Sequence, residues 1–144
     1  MDLVGIVINE VLPGATASRV ELYNMGQIPW DITGATIAGY RIGSDPARET
    51  YVSSTTGGTA SPSDFHPGAY VVINFPANLA HASLELLALG GIPVDAVQVD
   101  NGCIPGAGDP AKPSLSRNFG PNIGDDCNEW QWSASPTLGA FNRF

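Results

Sequence analysis

Short apolar runs, each closed by a cluster containing Gly, Pro, Asn or Asp, recur along all 144 residues of this chain. Seventeen Gly and twelve Pro are spread between those runs and not gathered into one segment. Gly supplies the positive φ that tight turns need, while Pro fixes φ and removes a backbone donor. Helices of ordinary length find few uninterrupted stretches under such punctuation, whereas short strands fit between the breaks. The expected fold is therefore all-β: an antiparallel sandwich of about seven to nine strands.

Residues 4–12 read as the first strand, ended by Pro13-Gly14. In residues 19–24, Val20 and Leu22 share one face while Arg19, Glu21 and Tyr23 share the other. Strands are also expected over 28–32 and 36–42, with Gly39 marking a bulge in the latter. Residues 43–68 are mostly polar and read as a long surface loop in which only Tyr51-Val52 is strand-like. Val71, Ile73 and Phe75 alternate clearly behind Pro67-Gly68. Asn78 to Gly90 allows a helix capped at both ends, or a connector followed by a strand over 84–89. Gly90-Gly91 suits a hairpin, so the strand is preferred, paired with another over 93–99. Asp95 there is in phase with Val97 and Val99, so a buried carboxylate is expected to need a partner, Arg117 or turn amides.

Hydrophobic residues make up 43% of the chain, enough for one core, and nothing divides residues 1–144 into two domains. Only 14% are charged, Lys112 is the sole lysine, and the formal net charge is -8. Such a surface repels phosphates, which argues against a nucleic-acid partner. No run approaches the roughly 18 apolar residues of a membrane-spanning helix. Met1-Asp2-Leu3 leads straight into a strand-like segment, so any signal peptide is expected to have been removed or never included. Cys103 and Cys127 are the only cysteines. A disulfide between them would close the 103–127 loop, stabilise by roughly 3–4 kcal/mol and imply an oxidising compartment. Two unpaired thiols are the alternative.

Taken in order, several segments resemble the lamin-tail domain family. They are Ile8-Asn9-Glu10-Val11, Glu21-Leu22-Tyr23-Asn24, Ile32-Thr33-Gly34, Pro67-Gly68-Ala69-Tyr70, Val94-Asp95-Ala96-Val97 and Ser114-Leu115-Ser116-Arg117. Pro136-Thr137-Leu138-Gly139-Ala140-Phe141-Asn142 closes the set. Ala35 stands where that family usually has Trp, and Leu138 where Pro is common. The resemblance implies an immunoglobulin-like sandwich in which Glu10, Glu21, Asn24, Asp95, Arg117 and Asn142 are structural polar residues. It further implies a non-catalytic interaction or surface-anchoring module of a secreted prokaryotic protein, at the cell surface or outside the cell. The partner would be a protein or a cell-surface polymer; oligomeric state is left open.

No catalytic set is legible. Glu10 and Glu21 are the candidates for paired carboxylates, but polar scaffolding at the sandwich edge is the preferred reading. His66 and His81 fall in expected loops without metal-ligand spacing, and the glycines of 102–108 follow no strand-to-helix transition. No cofactor is expected beyond Ca²⁺, for which Asp125, Asp126, Asn128 and Glu129 offer oxygen ligands without EF-hand spacing. Trp130 and Trp132 alternate, so they point the same way in an extended segment. They either cover the end of the sandwich or stack on a ligand such as a sugar, which would make this a carbohydrate- or Ca²⁺-binding module serving a hydrolase or nuclease.

Overall fold

Alternation along the chain becomes two packed sheets in the computed structural model, which describes residues 3–53, 59–118, 126–134 and 136. Among these residues ten strands occur: β1 (Ile6–Leu12), β2 (Ser18–Asn24), β3 (Thr36–Ile37), β4 (Tyr40–Arg41) and β5 (Glu49–Val52) form the first half. β6 (Tyr70–Phe75), β7 (Ser83–Ala88), β8 (Ile92–Gln98), β9 (Ser114–Arg117) and β10 (Trp130–Ser133) follow. One sheet has the order β10-β9-β1-β2-β6-β5 and the other β4-β3-β7-β8, with every pairing antiparallel. A short helix, α1 (Asp126–Glu129), precedes β10.

The core lies between the sheets. Ile6, Ile8, Val11, Val20, Leu22, Val71 and Ile73 enter it from the larger sheet, and Ile37, Leu84, Leu86 and Val97 from the smaller. β1 keeps both Ile8 and Val11 inward because its register shifts between Ile8 and Glu10. The extra residue of a β-bulge restores parity on the far side of the kink.

Three expectations need correction. Residues 28–32 form no strand: Trp30 makes a single bridge to Phe65. Pro29 withholds a ladder donor, and the Asp31 carboxylate accepts from the Thr33 amide and turns the chain away. Residues 36–42 split into β3 and β4 because Ala38 and Gly39 both take positive φ, 49° and 79°. Two such residues make a tight hairpin turn of the right twist, so Gly39 is a turn residue and not a bulge. The polar 43–68 segment holds more than a loop, since β5 pairs with β6 as a sheet edge and Phe65 is buried in the core. By contrast, the strand alternative for the segment before Gly90-Gly91 is realised as β7, hairpinned to β8.

The Cys103–Cys127 disulfide forms, with Cα atoms 5.2 Å apart. It fastens the segment between β8 and β9 to α1, and so to β10. Among the described residues no helix is long and apolar enough to cross a membrane.

All four tyrosines (Tyr23, Tyr40, Tyr51 and Tyr70) have phenols held above their ordinary pKa. Burial is the main cause throughout. For Tyr51 the Glu49 carboxylate adds to it, accepting the phenol proton at 2.7 Å. A raised folded-state pKa favours the neutral phenol, so this stabilisation is complete below about pH 10 and is lost as pH climbs further. Absorbance at 295 nm during alkaline titration should therefore rise at a higher pH than that of free tyrosine. Tyrosinate absorbance appearing near pH 10 while the native circular dichroism persists would contradict the burial.

Candidate functional site

β8 carries Asp95 inward from the smaller sheet, and β9 carries Arg117 inward from the larger, so the two meet between the layers. Arg117 Nη2 lies 2.6 Å from Asp95 Oδ2, with both side chains almost wholly buried. The same Asp95 oxygen accepts from the Ile8 amide at 2.8 Å, while Arg117 Nε donates to the Ile8 carbonyl at 2.7 Å. Both peptide groups of Ile8 point toward this pair and find in it the partners that a neighbouring strand would otherwise supply. Arg117 also reaches Glu129 Oε2 at 3.3 Å and stacks over the Trp130 ring at 4.4 Å. Arg117, one of the two partners expected from Asp95's parity, is thus the observed ion-pair partner.

Glu10 and Glu21 face each other directly across β1 and β2. Both are wholly buried, on the side of the sheet opposite Val20 and Leu22. Asn9 Nδ2 donates to Glu21 Oε1 at 2.7 Å, and the Ser114 hydroxyl donates to Glu10 Oε2. Both carboxylates are thus enclosed and engaged by side chains of the same sheet region. Asn24 is engaged as well. Its Nδ2 donates to the Ile28 and Phe65 carbonyls at 3.0 and 2.9 Å, and its Oδ1 accepts from the Gly26 amide at 2.9 Å. Asn24→Ala should cost roughly 1–3 kcal/mol by orphaning those groups. Asn24→Asp should cost more, since it turns both donors into acceptors facing carbonyls. Urea unfolding checks the ranking.

The aromatic pair divides. Trp130 is completely buried beneath Arg117 and offers no face to a ligand, which removes it from the ligand-binding set. Trp132, half-buried, packs against the core and lines an open groove of about 510 Å³. The proposed oxygen cluster is not assembled among the described residues. Asp125 and the side chain of Asp126 lie outside them, as do Asn142 and the closing motif from Thr137 onward. Asn128 is exposed, Glu129 is engaged by Arg117, and no group of His, Cys, Asp or Glu suited to a metal occurs among the described residues.

The groove is built from loops that the fold gathers at one end of the sandwich. Pro13 follows β1, Ala80 and His81 join β6 to β7, and Val99 and Asp100 follow β8. Ala107, Gly108, Asp109, Pro110, Lys112 and Pro113 form the wall before β9, and Trp132 the wall from β10. The wall stands close to the strand because Gly106 takes φ 86° and packs on it. A Cβ at Gly106 would sit 3.0 Å from Trp132 Cβ. Volume and lining suit a small-molecule or polymer site, whose usual range is about 300–1,000 Å³.

Little of the groove's main chain is free to donate. Pro13, Pro110 and Pro113 carry no N–H. The Val99, Lys112 and Trp132 amides donate to Ala82, Asp109 and Pro105 carbonyls, each at 3.0 Å. Ala80 donates to Asn78 Oδ1 at 2.8 Å, and the Ala107 and Asp109 amides close turns within the wall. Hydrogen-bond donors to a ligand therefore come mainly from side chains. Asp100 accepts from the Gln98 amide and lies 3.4 Å from His81 Nδ1. Gln98 first, and His81 after it, hold the Asp100 carboxyl below the usual carboxylate range, so it remains an ionised acceptor near neutral pH.

From the sequence, His81 reads as a loop residue without metal-ligand spacing and Pro13 only as the end of the first strand, while Asp100 carries no mark at all. No local signal marks them, because the groove exists only where separate loops converge. Among the described residues the large exposed hydrophobic side chains Val4, Met25, Ile28, Leu89 and Ile92 sit at the other end, beside the start of β1, the end of β2 and the β7–β8 hairpin. Searches of family models, curated proteins and solved structures find no match to this chain.

Proposed function

We propose that this chain is a non-catalytic interaction or surface-anchoring module of a secreted prokaryotic protein. Its partner, a protein segment or a cell-surface polymer, is held in the Trp132 groove. The observation that carries the reading is that open groove at one end of the sandwich. The carboxylates and the arginine that a hydrolytic mechanism would draw on, Glu10, Glu21, Asp95 and Arg117, are buried and engaged in holding strands together. The lamin-tail resemblance supports the same role, and a disulfide fits an oxidising, extracellular setting. A net charge of -8 disfavours nucleic acid as the partner. The second reading, a carbohydrate- or Ca²⁺-binding module delivering a hydrolase or nuclease, is favoured in its carbohydrate half by Trp132 lining the groove.

Retention of the purified chain on isolated prokaryotic cell envelopes, before and after protease treatment, tests the role. The expected result is retention that Trp132→Ala weakens about tenfold, the size of a buried aromatic anchor's contribution. Retention insensitive to every groove substitution, or release of soluble fragments from the envelope polymer by the chain alone, would refute it.

A further inference from the structure

The groove combines a mainly apolar lining with side-chain polar groups and few free main-chain donors. Sugar rings match that combination, since each has a face of C–H bonds and a rim of hydroxyls that both donate and accept. We propose that the groove takes a neutral oligosaccharide. Trp132 lies against a ring face, while Asp100, His81 and Lys112 meet the hydroxyls. This rests on the binding-module reading and names its ligand class.

Three observations select this class over the alternatives. First, an extended peptide docks largely through main-chain hydrogen bonds, and this groove has few main-chain donors left to give. Trp132's own amide, which would serve a strand added beside β10, is already bonded to Pro105. Second, the ionisable groups lining the groove are of mixed sign with carboxylates in excess: Asp100 and Asp109 against Lys112, with His81 beside Asp100. An anionic ligand meets both carboxylates and the chain's net charge of -8, and a strongly cationic one meets Lys112. A neutral ligand meets neither penalty. Third, the Asp100 carboxylate accepts from the Gln98 amide and faces His81 at 3.4 Å, so an ionised acceptor for a sugar hydroxyl already stands at the groove.

Isothermal titration calorimetry and tryptophan fluorescence test this on the intact chain with four probe sets. These are neutral oligosaccharides of glucose, mannose, xylose or N-acetylglucosamine; a uronate oligosaccharide; an extended proline-rich peptide; and isolated envelopes. At least one neutral series should bind and perturb tryptophan emission. Trp132→Ala and Asp100→Ala should each weaken that binding about tenfold or more. Asp100 is exposed, so its substitution leaves the core intact and decides the matter even if Trp132→Ala fails to fold. Neutral sugars bound equally by wild type, Asp100→Ala and Lys112→Ala would place the site elsewhere and overturn the proposal. Preference for the uronate, or binding of the peptide alone, would overturn the ligand class while leaving the groove as a binding site. If no soluble probe binds but envelope retention still depends on the groove, the sugar assignment falls and the module reading stands.

Discussion

Arg117→Ala should destabilise the fold by roughly 3–5 kcal/mol, the usual cost of removing one partner from a buried ion pair. The loss exceeds that of a salt bridge at the surface, because Asp95 would remain between the sheets without its cation. The Ile8 carbonyl would lose its donor, Glu129 its cation, and Trp130 the guanidinium stacked on its ring. Domains of this size are stable by only about 5–15 kcal/mol, so the variant should unfold at far lower urea. A double substitution, Asp95→Leu with Arg117→Met, separates two contributions. It removes both charges and should recover part of the loss, yet it leaves the Ile8 amide and carbonyl unpaired at roughly 1–3 kcal/mol. Equal stability of wild type and Arg117→Ala in urea would mean that the pair does not bridge the sheets.

The second large effect concerns the disulfide. Cys103→Ser with Cys127→Ser should cost about 3.5 kcal/mol on the chain-entropy model, through the conformations that the 103–127 crosslink denies to the unfolded chain. The consequence is also local. The crosslink holds the groove wall against the α1–β10 segment, which carries Glu129, Trp130 and Trp132. Thermal unfolding with and without reductant gives the stability change. Native-state hydrogen exchange locates it, with faster exchange expected at the Lys112 and Trp132 amides. A melting temperature unchanged by reduction of an intact disulfide would contradict the assignment.

Much of the scaffold was legible in the chain itself, for a local reason. Residues two apart in a strand share a face, so Val20 and Leu22, or Val71, Ile73 and Phe75, declare their inward side without reference to any neighbour. Asp95 declared its burial by the same parity, and the turn clusters placed the β7–β8 hairpin. Spacing also made the disulfide a reasonable expectation.

Tertiary structure alone decided which segments meet. Nothing near Asp95 in sequence selects Arg117, and Glu10 opposes Glu21 only because a bulge shifts the register by one residue. Trp130 and Trp132 look alike on paper. Depth of packing makes one a buried platform for Arg117 and leaves the other at the rim of a groove. That groove draws on five separated stretches of chain, from Pro13 to Trp132, whose convergence is set by sheet order. Alternation is a property of adjacent residues, whereas a site of this kind is a property of distances through space, and no local pattern encodes them.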